Sequence, residues 1–121
     1  MEDRFKFRFW DKNRQKMETY EHNLSSLGVI LFSKNPDKIP MQCTGLKDKN
    51  GKLIYELDIV KTFIGNFIIR YCYICKSYQL FSVEEDYCFS CEGDLHWFEF
   101  LEDLDKTEII GNIYQNPELL N

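Results

Sequence analysis

"DIVKTFIGNFIIRYC", residues 58–72, decides the class of this fold. Two runs rich in β-branched and aromatic residues flank Gly65-Asn66, and Gly at the first central position suits a type II′ turn. A two-residue loop at Gly65-Asn66 predicts the register of the hairpin. Ile64 faces Phe67, Thr62 faces Ile69 and Val60 faces Tyr71 on an apolar, more buried side. Phe63 faces Ile68, Lys61 faces Arg70 and Ile59 faces Cys72 on the other. Lys61 opposite Arg70 is a like-charge pair, which places that side nearer to solvent.

Upstream, "GLKDKNGKLIYE" contains Asn50-Gly51, two residues that tolerate the positive φ of a type I′ turn, so it predicts a second hairpin. At the start of the chain "RFKFRFWD" alternates strictly. Period 2 sets Phe5, Phe7 and Phe9 inward and Arg4, Lys6 and Arg8 outward on a half-buried strand. "DKNRQK" then reads as a turn and "KMETYE" as a returning strand. "GVILF" (28–32) and "TEIIGNIY" are further strands, and Pro36 and Pro40 punctuate a loop. "DLHWFEFLEDLD" (94–105) fits a short helix better than a strand, and "NPELL" places Asn116 as N-cap and Pro117 at the first position of a one-turn helix. Roughly seven or eight short strands with closely spaced turn signals imply a mainly β domain. The expected architecture is a small antiparallel SH3-like barrel or two-sheet sandwich, with an N-terminal β arm and one or two short helices.

The 121 residues suffice for a single domain, 1–121, with a genuine core. A net charge of -5 argues against non-specific nucleic-acid binding, which needs a basic surface. The charge is uneven. Arg4, Lys6, Arg8, Lys12, Arg14 and Lys16 make the first stretch basic, whereas ten acidic residues and one lysine lie between Glu84 and Glu108. If the basic stripe binds an acidic partner, that partner could be the acidic segment of another copy. The N-terminus is charged and carries no apolar signal-peptide core, and no apolar run approaches a membrane span. A cytoplasmic protein with reduced thiols and no membrane partner is expected.

Four of the five cysteines form two Cys-x-x-Cys pairs, Cys72/Cys75 and Cys88/Cys91. Four thiolates can complete a tetrahedral zinc site. Twelve residues separate the pairs, slightly fewer than is usual in such sites. The intervening Tyr73, Ile74 and Phe89 prefer extended backbone, and on a strand residues i and i+3 point to opposite faces, where they cannot chelate one ion. The expectation is therefore that Cys72, Cys75, Cys88 and Cys91 are buried structural thiols, with no metal and no other cofactor. Cys43 with His22 or His96 makes no convincing nucleophile–base pair, the carboxylates stand in no catalytic spacing, and no phosphate-binding loop is present. No catalytic residue is assigned.

Three stretches carry a family resemblance: "RFKFRFWDKNRQKM", "QCTGLKDKNGKLIYELDIV" and "IIGNIYQNPELL". Together they resemble the YopX-like family of phage and prophage proteins. In that family a glycine usually separates the Glu and Asp of the central motif, where this chain has Leu57. The resemblance implies a small β-rich domain encoded by temperate phages, with no established activity and no catalytic residues to carry across. Gly45, Asn50, Gly51, Gly111, Asn112 and Asn116 are residue types demanded by turns and caps, so the shared motifs read as scaffold. The expected role is a non-enzymatic binding or regulatory module contacting a host or phage protein. The alternatives are a homo-oligomer, a nucleic-acid-associated protein using the basic stripe and a zinc-binding module; an enzyme ranks last.

Overall fold

A computed structural model describes residues 6–20, 37–62, 65–83, 88 and 107–120. The described chain is mainly β, in two antiparallel four-stranded sheets. The strands are β1 (Phe7–Asp11), β2 (Lys16–Tyr20), β3 (Lys38–Lys47), β4 (Leu53–Tyr55), β5 (Asp58–Thr62), β6 (Gly65–Cys72), β7 (Ser77–Ser82) and β8 (Glu108–Asn112). One sheet has the order β2-β1-β3-β4 and the other β7-β6-β5-β8. This is the small barrel-or-sandwich class that the sequence predicts. The helix expected within 94–105 and the strand 28–32 lie outside the described residues.

Ile54 of β4 packs with Val60, Phe67, Ile69 and Leu80 of the other sheet, and Leu46, Tyr78 and Ile109 close around them. Each fully buried side chain of this kind contributes roughly 1.5–3 kcal/mol, so this cluster fixes how the sheets meet. Polar links reinforce it. Asp48, in the β3–β4 loop, accepts hydrogen bonds from Asn50 N and Lys52 N at 2.9 Å each and from Ile109 N of β8 at 3.0 Å. The neighbouring Lys49 N donates to Thr107 O at 2.9 Å.

The β5–β6 hairpin keeps its predicted sidedness but not its predicted turn, and the side expected nearer to solvent is largely buried as well, with Ile59, Ile68 and Cys72 covered. Val60 pairs with Phe67, Ile59 with Ile68, Lys61 with Asn66 and Thr62 with Gly65. Only residues 63 and 64 intervene between the strands. The turn moves back by two residues and each pairing shifts by four, Val60 meeting Phe67 instead of Tyr71; four is even, so no side chain changes face. Val60, Thr62, Phe67 and Ile69 are buried and Lys61 is exposed. Tyr71, expected on the buried face, is exposed beyond the core, and Ile64 lies outside the described residues. The physical gain is plain. Large apolar residues oppose each other at both central positions, and Arg70 faces Gln79 of β7 instead of Lys61. Gly65 uses its freedom (φ 136°) at the first residue of β6.

Asn50-Gly51 also makes a hairpin, with a longer loop than a type I′ turn. Lys47 pairs with Leu53, Gly51 N donates to Asp48 O, and Gly51 alone of the two has positive φ. That is the three-residue loop with a glycine bulge. Between β4 and β5, Leu57 adopts φ 69° without being glycine, so the tight turn that a glycine would make there forms with leucine. It is held by Leu57 N donating to Ile69 O and Ile113 N donating to Leu57 O.

At the last strand, Asn112 Oδ1 accepts from Tyr114 N and Gln115 N, which turns the chain into a 3-10 turn at Pro117–Leu120. Asn116 does not cap it with its side chain, as the sequence suggests. Its carbonyl accepts from Leu119 N, while Oδ1 reaches back to Asn112 N. Gly111 lies so close beneath that carboxamide that a Cβ would collide with it.

Candidate functional site

The β6–β7 hairpin carries the first cysteine pair. Cys72 ends β6 opposite Ser77, the first residue of β7, and residues 73–76 form the turn. Lys76 N donates to Cys72 O at 2.7 Å, and Lys76 takes φ 57° to close the loop. This tight turn overturns the expectation that Cys72 and Cys75 diverge across a strand. Cys75 N donates to Cys72 Sγ at 3.4 Å, so the second cysteine folds back over the first. Cys88 forms an isolated antiparallel bridge with Phe81, and its sulfur lies 3.9 Å from that of Cys75. The sulfurs of Cys72, Cys75 and Cys88 all fall within 4.8 Å of one another. Cys72 and Cys88 are buried and Cys75 is partly so. Cys91 lies outside the described residues. Cys43 is buried on β3, where its sulfur accepts from Gly45 N, and it is not part of the cluster. Both histidines lie outside the described residues.

The same turn displays its apolar residues. Tyr73 is 83% and Ile74 71% exposed, and Tyr71 is 36% exposed. Tyr71 meets Tyr73 and Tyr78 edge-on, with ring centroids 5.0 and 5.4 Å apart. Tyr78 is anchored through its hydroxyl, which donates to Gln42 Oε1 on the opposite sheet. A tethered row of rings thus leads from the sheet to the tip.

The predicted basic stripe is broken at its centre. Arg8 is buried: Nη1 lies 2.9 Å from Asp58 Oδ1, Nη2 donates to Glu56 O, and the guanidinium sits 4.9 Å from the centre of the Tyr55 ring. Outward alternation fails here because Asp58, buried at the start of β5, needs a cation. Asp58 Oδ2 also accepts from Tyr55 N at 2.8 Å. Burial pushes the Asp58 carboxyl above its usual range, and the charge and hydrogen bond of Arg8 only partly oppose that rise. Lys6 is half-buried, Lys12, Arg14 and Lys16 are exposed, and Phe9 is inward as expected, while Phe7 is only half-buried. Arg4 and Phe5 lie outside the described residues.

Arg8, Asp58 and Lys52 line a cavity of about 310 Å³ with Asn112, Gln115 and Asn116. Among the described residues that line it there is no thiol or hydroxyl nucleophile. Its charges serve the joint between sheets. The Cys-x-x-Cys spacing was the sequence signal for the thiol cluster, whereas nothing in the strict alternation around Arg8 marked it as a buried partner.

A family model described as "YopX protein" matches residues 6–121. The crystal structure of protein EF1440 from Enterococcus faecalis is similar at 25% sequence identity, with a TM-score of 0.57, covering 96% of this chain and 97% of that one. Among curated proteins none matches.

Proposed function

The chain belongs to the YopX protein family, and from that premise we propose that it is a phage- or prophage-encoded, non-enzymatic binding module that contacts a protein partner through the tip of the β6–β7 hairpin. The observation that carries this reading is the gathering of Tyr71, Tyr73 and Ile74 at one turn as the exposed large hydrophobics among the described residues. Aromatic and aliphatic side chains held out on a tight turn suit the apolar centre of a protein interface. Their ordering cost on binding is low, because the turn and the Tyr71–Tyr78 contact already position them. The nucleic-acid alternative loses its central cation, since Arg8 is committed to Asp58.

The test compares wild type with Tyr73→Ser/Ile74→Ser in coprecipitation from host lysate. Surface changes of this sort shift stability by no more than about 0.5 kcal/mol. Wild type should retain a specific protein that the variant loses at an unchanged urea midpoint. Equal recovery by both removes the tip from the interface.

A further inference from the structure

We propose that Cys72, Cys75 and Cys88 are thiolate ligands of a zinc ion, bound where the β6–β7 turn meets the chain returning past β7. The proposal rests on where the sulfurs stand and is independent of the docking role given to Tyr73 and Ile74.

Three observations converge. First, sulfurs around a tetrahedral zinc with Zn–S bonds near 2.3 Å stand about 3.8 Å apart. Cys75 and Cys88 are at 3.9 Å, and all three sulfurs fit within 4.8 Å. Apolar packing of thiols does not require three residues from two separate chain segments to aim their sulfurs at one point. A disulfide between Cys75 and Cys88 would need a separation of about 2.0 Å. Second, the turn is shaped as a chelating loop. Cys75 N points at Cys72 Sγ, and a backbone donor directed at sulfur favours the thiolate over the thiol. Lys76 accepts a left-handed backbone so that the chain can turn immediately after Cys75. Third, two of the three sulfurs belong to buried residues, which excludes water from much of the first shell, while the partly exposed Cys75 leaves a way in for the metal.

Soft thiolates select zinc over magnesium or calcium. Each thiol that binds gives up its proton to solvent, so uptake weakens as pH falls. Three sulfurs leave one tetrahedral position.

The experiment uses the whole chain purified without chelator. Elemental analysis should find about one zinc per chain, as one site requires. Zinc should shield Cys72, Cys75 and Cys88 from alkylation, mapped by mass spectrometry, and a chelator should open all three together. Replacing zinc by cobalt(II) should give thiolate-to-metal charge-transfer bands, and Cys75→Ser and Cys88→Ser should each lose the stoichiometric metal. These shielding and cobalt readouts use wild-type protein and stand even if a variant fails to fold. A chain that takes up neither zinc nor cobalt(II), or thiols whose alkylation ignores added zinc, overturns the proposal.

Discussion

Arg8 and Asp58 illustrate how much rests on single side chains. The pair is buried between sheets beside the Tyr55 ring and the carbonyl of Glu56, with Lys52 lining the same cavity. Removing one member leaves the other buried without its counter-charge. Arg8→Ala should therefore cost about 3–5 kcal/mol in urea unfolding, the range for breaking a buried ion pair. Two aspartates set opposite pH dependences. Burial raises Asp48 as well, but the amides of Ile109, Lys52 and Asn50, with the charge of Lys52, outweigh it and hold the carboxyl below 3.8. A depressed folded value gives stability that is present above pH 3.8 and lost as pH falls through the folded value. Asp58 is raised, so folding takes up a proton there, and its contribution is largest below 3.8 and declines as pH climbs through its folded value. Asp48→Asn should remove the first dependence, leaving stability less sensitive to acid below pH 3.8, as denaturant titrations at stepped pH would read. Leu57 has a third residue-scale consequence. A left-handed backbone costs a non-glycine residue roughly 1–2 kcal/mol. Leu57→Gly should raise the stability read from urea unfolding by up to about 1 kcal/mol, part of the relief being offset by the greater entropy of the unfolded glycine.

At the scale of elements, the β8 turn depends on a close fit between Gly111 and Asn116. Gly111→Ala should destabilise by about 1–3 kcal/mol, the usual cost of overpacking. Because the obstructing atoms are the carboxamide of Asn116, the cost should shrink when Gly111→Ala is combined with Asn116→Ala; a double-mutant cycle reads the coupling. Elements were also what the sequence disclosed best. Alternation in "FRFWD" and the apolar runs around Gly65 located β1, β5 and β6, but period 2 did not give their exposure, because Arg8 of β1 and Ile59 and Ile68 of the hairpin are buried on sides expected to face outward. Turn chemistry located the hairpins more poorly. Gly65 signalled a bend but serves the strand just after it, because opposing Val60 with Phe67 and Ile59 with Ile68 outweighs the local preference of Gly-Asn for the turn itself. Buried charge was illegible, since a residue's partner across two sheets leaves no trace in periodicity. The cysteine spacing was legible, but whether it lies on a strand or a turn depended on where β6 stops, and that boundary is set by its pairing with β7.

In the whole molecule, the two sheets are held by a mixed set of bonds. The apolar cluster lies at one place, the Arg8–Asp58 pair at another, and Asp48 ties the β3–β4 loop to β8. Partners far apart in the chain dominate these links. The position of β8 has a consequence for the speed of folding. Every other pairing within its sheet joins consecutive strands, β5 to β6 and β6 to β7, so those hairpins close short loops. The pairing of β5 with β8 instead brings Lys61 against Glu108 and must wait for the whole intervening chain to be gathered. Closing that loop costs entropy before any ladder bond repays it, which makes late arrival of β8 the natural kinetic bottleneck. Until it docks, β5 presents an open row of backbone donors and acceptors, and the nascent sheet is at its most vulnerable to pairing with a strand from another chain.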